Sequence, residues 1–116
     1  MEFKETGQRR LIAVDLDGTL NNGEPFWKVE PTPNPEVIER VREFYRQGNI
    51  ICIWTARQWS LAPQTVAWLI KYQVPFHGIM MGKGGADLYV DDKAIKPEAF
   101  IHLLSVTEKL EITLAK

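Results

Sequence analysis

Apolar positions in this chain fall into short blocks separated by polar and glycine-rich turns. The first block, Leu11-Ile12-Ala13-Val14, runs directly into Asp15-Leu16-Asp17-Gly18. A short, continuous apolar run that ends on glycine predicts a buried parallel strand over 10–14 rather than a helix. Ile50-Ile51-Cys52-Ile53-Trp54 repeats the pattern and predicts a second strand. A third strand is predicted over 76–81, after Pro75, and a short fourth over 88–90, Leu88-Tyr89-Val90. Between them the period changes to that of a helix. Over 36–47, Val37, Val41, Phe44 and Tyr45 share one face, and Glu36, Glu39, Arg40, Arg42, Glu43 and Arg46 stay wet. Asn34 is placed as its N-cap, Pro35 in its first turn and Gly48 as its stop. A second helix is predicted over 61–72, with Leu61, Thr65, Trp68, Leu69 and Tyr72 buried. A helical turn or two should follow over 97–104. The stretch 105–116 fits two patterns: Leu110, Ile112 and Leu114 alternate as in a strand, while Val106, Leu110 and Leu114 fit one helix face.

Strands alternating with helices imply a single α/β domain with a mostly parallel sheet and helices on both faces. In such sheets ligands bind beyond the carboxyl ends of the strands. The linker over 21–35 breaks the alternation. It carries Pro25, Pro31, Pro33 and Pro35 and is too proline-rich for regular helix. Loops of that length are often binding loops, and its Phe26 and Trp27 are candidates to wall a pocket.

Composition adds bounds. The chain has 116 residues, enough for one domain with a real core, and its net charge of −1 gives no electrostatic case for nucleic acid or an anionic membrane. No apolar run approaches the roughly 20 residues of a membrane span, and no signal-peptide pattern is seen. The one cysteine, Cys52, lies within an apolar strand, so a reduced thiol and a cytoplasmic location are expected. Trp27 or Trp59, if exposed, would suit an interface in a homo-oligomer.

The candidate chemistry sits at the strand ends. Asp15 and Asp17 point the same way off the first strand, and two carboxylates that close are tolerable only with a cation between them or with one proton retained. Thr55 and Arg57 follow the second strand, Lys83 follows the third, and Asp91 and Asp92 follow the fourth. Carboxylates without a His or Cys cluster suit a hard, oxygen-preferring cation, Mg²⁺ above all. A hydroxyl and an ammonium beside them suit phosphate oxygens. His77 and His102 read as structural or surface residues.

Asp15-Leu16-Asp17-Gly18-Thr19-Leu20, then Thr55, Lys83 and Asp91-Asp92 in that order, resembles the four motifs of the haloacid dehalogenase (HAD) superfamily. Trp54-Thr55-Ala56-Arg57 and the stretch 81–94 are more narrowly similar to small capless phosphatases found with capsule and surface-sugar biosynthesis. Many of those have proline where this chain has Gly84. The resemblance implies a Rossmann-like three-layer domain without a cap, and a Mg²⁺-dependent phosphomonoesterase. Asp15 would be the nucleophile and a metal ligand. Asp17 would be the general acid and then base, with its backbone carbonyl on the metal. Thr55 and Lys83 would hold the phosphoryl oxygens, and Asp91 would complete the metal site, with Asp92 binding the ion beside it, orienting Lys83 or capping the turn. Arg57, read from the residues alone, either grips the substrate beyond its phosphate or pairs with an acid on the surface. The implied partner is a small sugar or polyol phosphate. Three other readings stand beside it: a signalling phospho-acceptor module, a non-catalytic binding domain, and a phosphatase acting on a macromolecular phosphate such as a polynucleotide end.

Overall fold

In the computed structural model, residues 9–106 and Glu108 are described. In chain order they form β1 (Leu11–Val14), α1 (Pro35–Arg46), β2 (Ile50–Trp54), α2 (Ala62–Lys71), β3 (Gly78–Met80) and α3 (Pro97–Phe100). The three strands make one parallel sheet in the order β1-β2-β3. Leu11 pairs with Ile50 and Val14 with Ile53, while Cys52 pairs with Gly78 and Trp54 with Met80. The parallel register brings the carboxyl ends of all three strands to one rim.

Both crossovers advance in the same direction across the sheet. Right-handed connections therefore place α1 and α2 on the same face. Burial agrees. Val14, Ile51 and Ile53 alternate onto that face and join one core with Val37, Ile38, Val41 and Phe44 of α1 and Trp68 and Leu69 of α2. The opposite face carries Leu11, Trp54 and Met80, all exposed. The expectation of helices on both faces is thus met on one face among the described residues.

Local chemistry explains most element ends. Pro35 occupies the first turn of α1, and Asn34 caps it through its backbone, whose carbonyl accepts from Ile38 N at 3.0 Å. Gly48 ends the helix at a φ of 96°, a conformation that side-chain-bearing residues seldom adopt. Ile38, rather than Tyr45, completes the buried stripe of α1. Tyr45 lies at the edge of that face and packs against the His77 ring, 5.4 Å between centroids. His77 Nδ1 accepts from Ile51 N at 3.0 Å, so its role is structural.

The fourth strand expected over 88–90 does not form. Leu88, Tyr89 and Val90 are exposed and pair with no strand among the described residues. The Tyr89 hydroxyl turns back instead onto the glycine loop, donating to Gly84 O and accepting from Ala86 N at 3.0 Å. The short helix after it is α3, whose Phe100 ring meets Phe44 at 5.2 Å. The ambiguous stretch 105–116 lies largely outside the described residues.

Phe44 is 1% exposed and touches both the sheet-facing core and α3. Phe44→Ala should cost about 3–5 kcal/mol of stability, the usual range for emptying such a site. Urea unfolding followed by circular dichroism checks this; a loss below about 1 kcal/mol would mean that the site collapses or that α3 does not pack there.

Candidate active site

The site begins where β1 ends. After Val14 the chain leaves the sheet through a wide turn, Leu16–Leu20, whose two leucines are fully buried. They anchor the turn in the core and leave Asp15 and Asp17 on the rim. Gly18 makes the reversal at a φ of 85°. Asn21, 1% exposed, then ties the turn together: its Oδ1 accepts from Gly18 N at 3.0 Å and Gly23 N at 2.8 Å. Its Nδ2 donates to Asp17 Oδ1 at 2.9 Å.

The two carboxylates do not share one cation. Each faces its own. Asp15 Oδ1 accepts from Leu16 N at 2.8 Å and lies 3.3 Å from Lys83 Nζ. Both oxygens of Asp17 accept from Arg57: Nε at 2.9 Å and Nη2 at 2.8 Å. This is the forked, two-bond arrangement that only a guanidinium provides. The Asp15 side chain is 42% exposed and that of Asp17 is 29% exposed, so the first is the more open of the two to an incoming group.

Lys83 and Arg57 are placed by the backbone between β2 and β3. Lys83 N donates to Thr55 O at 3.0 Å, Gly82 N to Arg57 O at 2.8 Å, and Thr55 N to Met80 O at 2.9 Å. The ends of the two strands are thereby laced together. The Lys83 ammonium lies over the Trp54 ring at 5.0 Å and the Tyr89 ring at 5.3 Å. Such contacts attract a cation to the ring face and restrict its stem. Thr55 is buried, and its Oγ1 accepts from Arg57 N at 3.1 Å. Accepting that bond leaves the hydroxyl proton free to donate.

The loop over 21–34 is a fixed wall. Asn21 bridges Pro33, and Asn22 N donates to Thr32 O at 2.9 Å, which closes the loop at its base. Trp68 Nε1 on α2 donates to Pro31 O at 2.9 Å, and Lys71 Nζ holds Glu30 at 2.8 Å, with the Tyr72 hydroxyl donating to the same carboxylate. Lys71 and Tyr72 hold the Glu30 carboxyl below its ordinary value of 4.5. The loop delivers Phe26 onto the site, its ring 4.0 Å from the Arg57 guanidinium carbon and edge-on to Trp27.

The structure therefore brings Asp15, Asp17, Thr55, Arg57 and Lys83 together. It does not bring Asp91 and Asp92 to them. With the fourth strand unformed, both stand on an exposed segment, where Asp91 Oδ1 accepts from Lys93 N at 2.8 Å in a local turn. Of the two roles open to Arg57, gripping substrate or pairing with an acid, the structure shows a pairing, made inside the protein rather than on its surface. Arg57 is 4% exposed and its nitrogens are committed inside the protein, Nη1 to Thr65 Oγ1 at 3.0 Å. Asn21 and Thr65 carry no sequence signal of their own; each is a small polar residue that a fold reading assigns to a turn or a helix face.

Among the described residues no three His, Cys, Asp or Glu side chains gather into a ready-made metal cage. Mg²⁺ does not require one. It commonly keeps several waters and takes one or two carboxylates together with substrate phosphate. The Asp15 carboxylate and the Asp17 backbone carbonyl at the strand end are hard oxygen donors of that kind, so the residues present fit the ion.

Residues 12–115 match the model of the haloacid dehalogenase-like hydrolase family. The chain belongs to that family, and its fold is the α/β, Rossmann-like one of the HAD superfamily. A crystal structure of a structural-genomics target from Vibrio cholerae is similar at 29% identity, with a TM-score of 0.77 over 91% of this chain and 98% of that one. A chain of the Pnkp1/Rnl/Hen1 complex is 23% identical, with a TM-score of 0.56, and shares the fold; it covers 85% of this chain and 37% of its own length. A chain of the Pnkp1/Rnl/Hen1 RNA repair complex is 26% identical, with a TM-score of 0.55, over 81% of this chain and 31% of that one. Comparison with curated proteins gives no match. No described helix is long and apolar enough to cross a membrane.

The Glu30 clasp predicts a pH effect on the loop. Because its folded pKa is lowered, its contribution is full above the ordinary value and is lost as the pH falls through the folded one. Trp27 emission should therefore change below pH 4.5, before global unfolding, and Glu30→Gln should remove the step. An identical acid profile for wild type and variant would show that the clasp does not hold the loop.

Proposed function

We propose that this hydrolase is a Mg²⁺-dependent phosphomonoesterase acting through an aspartyl-phosphate on Asp15. The observation that carries the proposal is the separation of the two carboxylates. Asp15 is the more open and sits beside an ammonium, while Asp17 is held to one side by a guanidinium. One is open to attack phosphorus; the other is held in one orientation beside it, where it would exchange a proton with the leaving group and then with water.

In the first step an Asp15 oxygen bonds to phosphorus, the bond to the leaving oxygen breaks, and Asp17 gives that oxygen its proton. In the second, Asp17 takes a proton from water, the water oxygen bonds to phosphorus, and the acyl-phosphate bond to Asp15 breaks. The Thr55 hydroxyl and the Lys83 ammonium would hold the phosphoryl oxygens, where charge builds. The Asp15 carboxylate and the Asp17 carbonyl would hold Mg²⁺, with Asp91 or Asp92 joining only if their segment moves inward. The ion would supply charge neutralisation between nucleophile and phosphate.

For the substrate we propose a small sugar or polyol phosphate. The span between β1 and α1 is a closed loop rather than a cap domain, so the rim is open. Exposed Trp54 and Tyr89 beside Lys83 give the C–H face of a sugar ring an apolar surface to rest on. A polynucleotide phosphate end is the second reading. The likeness to a chain of an RNA repair complex favours it, and the net charge of −1 gives it no electrostatic support.

Phosphate release from sugar, polyol and oligonucleotide phosphates, with Mg²⁺ and with EDTA, tests the reading. Release should need the metal and should fall by at least about 10³-fold in Asp15→Asn with the fold intact, as expected for loss of a nucleophile. Turnover that survives the substitution would remove Asp15 from the chemistry. Release from oligonucleotide ends alone would replace the sugar reading with the polynucleotide one.

A further inference from the structure

Arg57 is buried, yet it is not packed as a bystander. Its guanidinium makes three side-chain hydrogen bonds, two to Asp17 at 2.9 and 2.8 Å and one to Thr65 Oγ1 at 3.0 Å. Its third neighbour is the Phe26 ring, 4.0 Å from the guanidinium carbon. Thr65 belongs to α2 and Phe26 to the loop over 21–34, so two separate elements converge on one cation. Burying an arginine is costly without acceptors for its donors, and here each guanidinium nitrogen finds one, on α2 or at the functional end of β1. Asn21 Nδ2 supplies a further bond to Asp17 Oδ1 at 2.9 Å. Asp17 thus receives three hydrogen bonds, which fix both the rotation and the tilt of its carboxyl plane.

Resting on the reading that Asp17 carries the proton, we infer that Arg57 is a positioning residue for Asp17 and not a substrate-binding one. It sets the direction in which Asp17 meets the leaving oxygen, and Thr65 with Phe26 holds Arg57 in turn. A proton donor must lie within hydrogen-bond reach of the atom it serves, so misdirecting the carboxyl group removes the acid contribution without touching the nucleophile.

This role leaves a signature that a general structural role does not. An alkyl phosphate needs a proton on its poor leaving oxygen, whereas a nitrophenyl phosphate departs without one. The value of kcat/KM, which reports formation of the phosphoenzyme, is compared for glycerol phosphate and p-nitrophenyl phosphate. Arg57→Met should lose about 100-fold on the alkyl ester and less than about 5-fold on the aryl ester, within the range that general acid catalysis supplies. Asp17→Asn should show the same inequality, and Arg57→Lys should recover part of the alkyl activity. Equal losses on both esters would overturn the inference, because a substrate-gripping or merely folding role predicts them. Should Arg57→Met fail to fold, Thr65→Val gives the same comparison with Arg57 in place. There a preferential loss on the alkyl ester supports the role, and no preference overturns it. Asp15→Asn run alongside separates the two levels. Release that persists in it removes Asp15 from the chemistry and with it the proposed mechanism, whereas Asp15-dependent release with equal losses sinks only the role of Arg57.

Discussion

Two carboxylates at the end of one short strand cannot share a rim without something to keep them apart. The fold solves this by assigning each to a separate cation, and the rest of the site follows. Lys83 reaches Asp15 from the loop after β3, and Arg57 reaches Asp17 from the end of β2. Neither cation is local in sequence to its acid. The pairing exists only because parallel register brings three strand ends to one edge and because Thr55, Arg57, Gly82 and Lys83 are laced by backbone hydrogen bonds. Stability and chemistry thus use the same bonds. Loosening the lacing would free both cations together.

The loop over 21–34 extends the same logic outward. Its base is closed beside Asn21, its far side is clasped by α2 through Pro31 and Glu30, and its middle lays Phe26 on Arg57. A loop pinned at three places forms one wall of the site. That arrangement leaves the approach to Asp15 open from the side of Trp54 and Tyr89, where an apolar surface borders a polar centre.

Much of this was legible in the chain. Continuous apolar runs predict β1 and β2, a 3.6-residue period predicts α1 and α2, and the order of acids, threonine and lysine predicts which residues meet. What sequence could not supply was the pairing. Spacing alone cannot show that Arg57 turns inward, because burial of an arginine depends on distant acceptors such as Thr65. Asn21 escaped for a similar reason: in an Asn-Asn-Gly stretch it reads as a turn residue, and its second bond, to Asp17, is visible only in three dimensions. Leu88-Tyr89-Val90 has a strand's composition, yet the Tyr89 hydroxyl bonds the glycine loop and the segment stays exposed beside the sheet. The acids Asp91 and Asp92 are displaced from the rim as a consequence.

The central claim is that Asp15 itself carries the phosphoryl group during turnover. Rapid acid quenching of the Asp17→Asn variant with radiolabelled p-nitrophenyl phosphate, which needs no acid to form the phosphoenzyme, and Mg²⁺, followed by peptide mapping, tests it most directly. The account predicts hydroxylamine-labile label on the peptide containing Asp15, accumulating because the base that opens the acyl phosphate has been removed. Label on any other residue, or phosphate release at wild-type rate with no labelled protein at any time, would contradict it.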